Sequence, residues 1–233
     1  MTEIIAEIGQ NHNGDIELAL EMVRQAKLNG ADVAKFQLFD AKALFPKENN
    51  PWYEYNLKTE LSFEQCLRIA DECERCGIEF MASAFDPERV GWLEKLGVKR
   101  YKVASRSIND EALLKAFLDT GKPLIVSLGF WNEPEFPKLN GSNQVDFLYC
   151  ISRYPTLLED VHLSGIDFTK YSGFSDHTIG LTAPFAAMAR GAKIIEKHFT
   201  LDQTLYGPDH ESSMNPDELL QLSQWRDELK RCL

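Results

Sequence analysis

Hydrophobic and polar positions follow two alternating rhythms along this chain. Short apolar runs such as IIAEIG (4–9) and PLIVSLG (123–129) lead into polar loops, and the loops lead into stretches with helical spacing of apolar residues. Apolar runs recur at 4–9, 32–39, 78–85, 98–105, 123–129, 145–152, 171–177 and 193–199, giving eight candidate strands. Helical patterns lie between most of them, at 15–29, 62–76, 87–96, 109–120 and 181–190, with a last one at 216–231.

Boundary residues sharpen several of these elements. Gly30 and Gly77 stand just past a helical pattern, where a left-handed C-cap is wanted. Ser62 and Gln65 have the spacing of a capping box, while Pro87 and Pro216 suit a first helical turn. Segment 131–141 after the fifth strand carries two prolines and has room for one helical turn at most. Eight strands alternating with helices predict an α/β fold, a (β/α)8 TIM barrel with one eroded helix after strand five, as a single catalytic domain over 1–233. An open doubly wound sheet is the alternative, disfavoured because no G-x-G-x-x-G follows the first strand.

Composition narrows the function classes. No apolar run approaches the roughly 20 residues of a membrane span. The start, MTEIIAEIG, has neither a basic leader nor a small-residue cleavage site, so a cytoplasmic protein is expected. A formal net charge of −11 argues against a nucleic-acid surface. It leaves room for a small anionic substrate where a few lysines gather in one pocket. Of the five cysteines, Cys73 and Cys76 match C-x-x-C, but with no second such pair and inside a helical pattern they read as helix-face thiols.

In a barrel of this kind the chemistry sits at the C-terminal mouth of the strands, and residues two apart on a strand share a face. Strand two then offers Lys35 and Gln37, strand three Ser83, strand four Lys102 followed by Ser105, and strand five Ser127. Strand six offers Cys150, Ser152 and Tyr154, strand seven Ser175 and His177, and strand eight Glu196 and His198. The first loop adds Asn11, His12 and Asn13. Singly, each has a bland explanation: a lysine at a strand end is usually solvated, and a buried histidine is usually a hydrogen-bonded core residue. Together they converge on one mouth, which marks a candidate site. The lysines and serines suit an anion such as phosphate. His177 and His198 could share a divalent metal with waters and substrate oxygens, with His210 a weaker third candidate. Glu196, Asp209 and Tyr154 remain for substrate hydroxyls or proton transfer.

The segments AEIGQNHNG, KFQ, KVAS, CISRYPT, GFSDHT, IEKHFTLD and GPDH together resemble the sialic acid synthase family, and the resemblance spans nearly the whole chain. It implies the barrel fold and the condensation of phosphoenolpyruvate with a hexosamine-type aldose such as N-acetylmannosamine, releasing phosphate and a nine-carbon 2-keto acid. It implies manganese or magnesium on His177 and His198. Lys35, Lys102, Ser105 and Ser127, with Ser175 nearby, would hold phosphoenolpyruvate, and Gln37, Tyr154, Glu196 and Asp209 would face the sugar. The candidate catalytic groups are accordingly Glu196, Lys102, Tyr154 and Asp209. Ser83, Ser152 and Asn13 join Lys35, Gln37, Ser105, Ser127 and Ser175 as candidate substrate-binding groups.

Three departures from the family pattern stand out. Asn13 occupies a position where some members carry Glu or Gln, and Ser127-Leu128-Gly129 replaces Ser-Thr-Gly. The third departure concerns the antifreeze-like domain that gives the family's sugar site an arginine across a dimer. It is expected to be lacking. A homodimer is what the family suggests, and a separate lid-supplying protein is the other expected partner. Competing readings are a non-catalytic barrel that binds a sugar or a partner enzyme, and a related aldol synthase making a seven- or eight-carbon keto acid. Aldose-dependent phosphate release would separate the enzymes from the binding barrel.

Overall fold

The structure, a computed structural model, describes residues 2–141 and 143–232. Eight parallel strands close into a barrel in chain order: β1 (Glu3–Gly9), β2 (Val33–Leu38), β3 (Glu79–Ala84), β4 (Tyr101–Val103), β5 (Leu124–Ser127), β6 (Val145–Cys150), β7 (Gly173–Asp176) and β8 (Ile194–His198). Around it lie α1 (Ile16–Leu28), α2 (Ala41–Leu44), α3 (Tyr53–Thr59), α4 (Phe63–Cys76), α5 (Pro87–Lys95), α6 (Glu111–Asp119), α7 (Thr182–Ala189) and α8 (Pro216–Cys232). The TIM barrel expected from the strand pattern is the observed architecture. Among the described residues no helix is long and apolar enough to cross a membrane.

The alternation of side chains builds two layers inside the barrel. Ile5, Val33, Met81, Ile125, Leu148 and Ile194 form an apolar floor that packs as a cluster of its own. Residues of the opposite parity, among them Ile4, Ala6, Phe36, Tyr101, Val126 and Ile195, point outward and bury against the helices. Each fully buried Leu, Ile or Phe of this kind contributes about 1.5–3 kcal/mol. Two residues beyond the floor the inward positions turn polar, which is where the site begins. Gly173 is an inward position with no side chain; a Cβ there would run into the Ile194 carbonyl of the paired strand.

Helix termini follow the predicted caps on α4, and α1 adds one that was not predicted. The Asp15 carboxylate accepts from the N–H groups of Glu17 and Leu18 to start α1. Ser62 and Gln65 close a capping box on α4, and Gly77 ends it in the left-handed region at φ 69°.

Two connections, rather than the one expected, lack an α-helix. Residues 128–141 and 143–144 after β5 are irregular, and among the described residues the β6–β7 connection has only the 3-10 turns Leu158–Asp160 and Leu163–Gly165. An aromatic cluster covers the outside of the barrel there instead. Phe136 packs 4.8 Å from both Phe147 and Tyr171, and Tyr149 stacks on Phe174 at 5.8 Å. The short helices α2 and α3 were not anticipated. They form part of the rim of the mouth, tied down where Gln10 Nε2 donates to Asn56 Oδ1 (3.0 Å) and Thr59 Oγ1 (2.7 Å).

Candidate active site

Two residues above the apolar floor, β1, β2, β4 and β8 each contribute a charged side chain: Glu7, Lys35, Lys102 and Glu196. The strand register places them side by side, with Glu7 opposite Lys35 and Ser175 opposite Glu196. Lys35 Nζ lies 2.7 Å from Glu7 and 3.5 Å from Glu196, and Lys102 Nζ lies 3.4 Å from Glu196. Hydroxyls complete the layer: Lys35 donates to Ser83 (3.3 Å), Lys102 to Ser127 (2.8 Å), and Ser175 to Glu196 (2.9 Å). Gln37 donates to Glu7 at 2.8 Å. All four charges are buried.

Burial and charge compete in this quartet. Burial alone would lower the Lys35 pKa, but the Glu196 and Glu7 carboxylates outweigh it and hold Lys35 above its ordinary value. Lys102 is pushed down, by burial and by the charge of Lys35, against the pull of Glu196. Burial would raise Glu196, yet the two lysines keep its carboxyl below the usual range, so it is ionised at neutral pH. A buried set like this is a poor device for stability, since desolvation consumes most of the Coulomb gain. It makes sense as a site prepared for charged ligands.

Beside the quartet stand two imidazoles, His177 just past β7 and His198 at the end of β8, with ring centroids 5.7 Å apart. His177 Nδ1 donates to the Ile151 carbonyl at 2.8 Å, which fixes the tautomer and leaves the Nε2 lone pair free. His198 Nδ1 is buried without a hydrogen-bond partner. Burial lowers the His198 pKa, favouring the neutral, ligating form. Among the described residues no group of three or more His, Cys, Asp or Glu side chains is arranged to hold a metal ion. Burial would lower the His177 pKa, but Cys150 and the Ile151 carbonyl outweigh burial and raise it, so it is His177 in its deprotonated form that, with His198, fits a divalent ion taking its remaining ligands from water or substrate oxygens.

Behind the histidines, on the outer face of the same strands, Lys197 and Asp176 form an ion pair of 2.7 Å with no exposed surface. Across the mouth, Gly129 brings its backbone close to three polar side chains. Its N–H donates to Ser105 Oγ at 3.1 Å, and a Cβ there would collide with Ser152 Oγ.

These groups line one cavity of about 570 Å3. It brings together the candidate catalytic, binding and metal residues named from the sequence except Asn13, the weaker metal candidate His210, and the loop residues Asn11 and His12. Asn13 does not reach the cavity. Its Oδ1 accepts from Tyr55 Oη (2.7 Å) and His210 Nε2 (3.1 Å), and its φ of 51° belongs to the tight turn after β1. His210 is likewise engaged elsewhere, with Nδ1 2.7 Å from Thr200 Oγ1. Tyr154 is 51% exposed at the mouth, its ring 4.0 Å from that of His177.

Sequence reasoning missed several residues of this cavity. Glu7 is the most consequential, and the spacing-two rule applied to β1 finds it, two residues beyond Ile5. Arg106 and the rim residues Trp52 and Asn56 also line the cavity and carry no such periodic signal.

A sequence model of the NeuB family matches residues 22–233. The chain is 39% identical over 249 residues to an N,N'-diacetyllegionaminic acid synthase of Legionella pneumophila, an alignment covering 95% of this chain and 70% of that protein. It is 35% identical over 242 residues to the human N-acetylneuraminate-9-phosphate synthase, covering 94% and 67% respectively. A crystal structure of an N-acetylneuraminic acid (sialic acid) synthetase from Leptospira borgpetersenii in complex with citrate superposes with a TM-score of 0.91. It is 34% identical, with 99% of this chain and 84% of that chain covered.

Proposed function

This chain belongs to the NeuB family of carbon–carbon bond-forming synthases, and we propose that it condenses phosphoenolpyruvate with an open-chain acetamido aldose, N-acetylmannosamine or a close relative. The products are a nine-carbon 2-keto acid and inorganic phosphate, and the reaction needs a divalent ion. One observation carries this reading: two buried lysines with their serine hydroxyls share a cavity with the paired imidazoles of His177 and His198.

Each part of the cavity has a role in that reaction. Lys35 and Lys102, with Ser83, Ser105, Ser127, Ser152 and Ser175, hold the phosphate and carboxylate of phosphoenolpyruvate and aim its C3 at the aldehyde carbon. Gln37, Tyr154 and Asp209 hold the aldose on the histidine side. Manganese or magnesium, held by His177 and His198 together with oxygen ligands, would supply Lewis-acid polarisation of the aldehyde oxygen. Bond formation between C3 and the aldehyde carbon leaves C2 electron-poor, and the aldehyde oxygen takes up a proton to become a hydroxyl. Glu196, ionised and fixed by Ser175, stabilises the positive charge at C2 and orients the water that adds there. Cleavage of the C2–O bond then releases phosphate and leaves the 2-keto group.

Phosphate release from phosphoenolpyruvate, measured with Mn2+ across a panel of aldoses, tests the reading. Release should require one class of aldose, should yield a 2-keto acid, and should stop on chelation with EDTA. Absence of phosphate release with every aldose would overturn it.

A further inference from the structure

Three cationic side chains line the cavity, Lys35, Lys102 and Arg106, and their circumstances differ. The lysines lie within 3.5 Å of Glu7 or Glu196, so the buried quartet of two lysines and two glutamates sums to zero charge. Asp209 adds a further carboxylate to the lining. Phosphoenolpyruvate brings one carboxylate charge and roughly −1.5 to −2 from its phosphate. The deep side chains therefore offer hydrogen bonds to it without a net positive charge.

Arg106 supplies what that layer lacks. It directly follows Ser105, on the 3-10 turn Ser105–Ser107 after β4. Its guanidinium lies over the rings of Phe45 (5.2 Å) and Phe85 (5.9 Å), two other residues of the cavity wall. Among the described residues no carboxylate pairs with it and no hydrogen bond engages it, whereas Arg153, beyond the end of β6, pairs with Asp160 at 2.7 Å. The ring contacts hold the guanidinium over the mouth and leave its N–H donors free. A planar fork of free donors matches phosphate and carboxylate in bidentate geometry.

We propose that Arg106 is a binding residue for phosphoenolpyruvate, closing on its anionic groups from the rim above Ser105 and Lys102. The inference rests on the phosphoenolpyruvate reading given above. It places recognition of the shared donor substrate on the β4 side of the mouth and leaves the histidine side to the aldose.

Calorimetric titration of phosphoenolpyruvate into the full chain, together with steady-state kinetics, tests this on the wild type, Arg106→Gln, Arg106→Lys and the control Arg153→Gln. Arg106→Gln should raise both Kd and KM for phosphoenolpyruvate at least tenfold while changing KM for the aldose less than twofold. Arg106→Lys should recover part of the loss, and Arg153→Gln should resemble the wild type. Raising the ionic strength should weaken phosphoenolpyruvate binding less in Arg106→Gln than in the wild type. If the wild type binds phosphoenolpyruvate and Arg106→Gln binds it within twofold as tightly, the inference fails while the function stands. A wild type that binds no phosphoenolpyruvate would overturn the function and this inference together.

Discussion

His12 has no exposed surface in the loop after β1, and its titration gives the protein a specific acid liability. Burial pulls its pKa from 6.5 down to about 4, with the Asp15 carboxylate opposing only in part. Nδ1 accepts from the Gly14 N–H at 3.2 Å, so Nε2 carries the ring proton, buried with no partner, and a second proton on Nδ1 would face a donor instead of an acceptor. The neutral form is therefore the folded form. Between pH 6.5 and 4 the unfolded chain binds more protons than the folded one, so stability rises with pH across that window. It is fully present above pH 6.5 and lost as the pH falls towards 4. From pH 7.5 to 4.5, linkage on these two pKa values removes about 2.5 kcal/mol. Replacing His12 with Asn keeps an acceptor for Gly14 and removes the titrating ring. Urea unfolding of both proteins at a series of pH values isolates the effect, because the carboxylates common to the two cancel in the difference. The wild type should lose about 2.5 kcal/mol more than His12→Asn over that range. In parallel, the His12 imidazole resonance should not titrate above pH 5. Stability profiles that run parallel within about 0.5 kcal/mol would refute the argument, since the linkage relation allows no other outcome for a buried neutral His12.

Further expectations concern the site and its supports. His177→Ala and His198→Ala should each reduce aldose-dependent phosphate release by at least about a hundredfold and weaken Mn2+ binding measured by electron paramagnetic resonance. Their circular dichroism should stay that of the wild type; loss of the folded spectrum in both would make them core residues instead. Gly129→Ala should raise KM for phosphoenolpyruvate at least about tenfold, because the new methyl displaces Ser152 Oγ; unchanged kinetics would remove Ser152 from the anion site. Lys197→Met should cost about 3–5 kcal/mol of stability by stranding Asp176. Lys197→Met combined with Asp176→Leu should restore part of it, and equal losses in the single and double variants would count against a paired role.

How much of this was legible in the sequence depends on the length scale of the force involved. Strand alternation is set by neighbours two apart, so Lys35, Gln37, Ser83, Lys102, Glu196 and His198 could be placed on one inner surface without coordinates. The same rule extends to Glu7. Caps are local too, and Ser62 with Gln65 and Gly77 behaved as their spacing predicts. The rim is governed by long-range contacts. Helix α3 is too short to be stable alone, and it holds because Gln10, 46 residues from Asn56 and 49 from Thr59, bonds to both. The β6–β7 connection does without a helix because Phe136, from the segment after β5, packs on Phe147 and Tyr171. Asn13 illustrates the same limit. Its neighbours in sequence point to the mouth, but Tyr55 and His210, distant in sequence, hold it away from the cavity.

This division falls along a functional line. The groups that carry the proposed chemistry lie on strand interiors, where a period of two reveals them. Those best placed to choose the acceptor lie on the rim, among Trp52, Asn56 and Tyr154, where tertiary packing decides position. The anion- and metal-binding groups were therefore open to sequence reasoning, the reaction class followed from the family resemblance, and acceptor identity was not legible. By the same logic, exchanging the rim segment 47–60 with that of a relative should alter acceptor preference while leaving phosphoenolpyruvate binding in place.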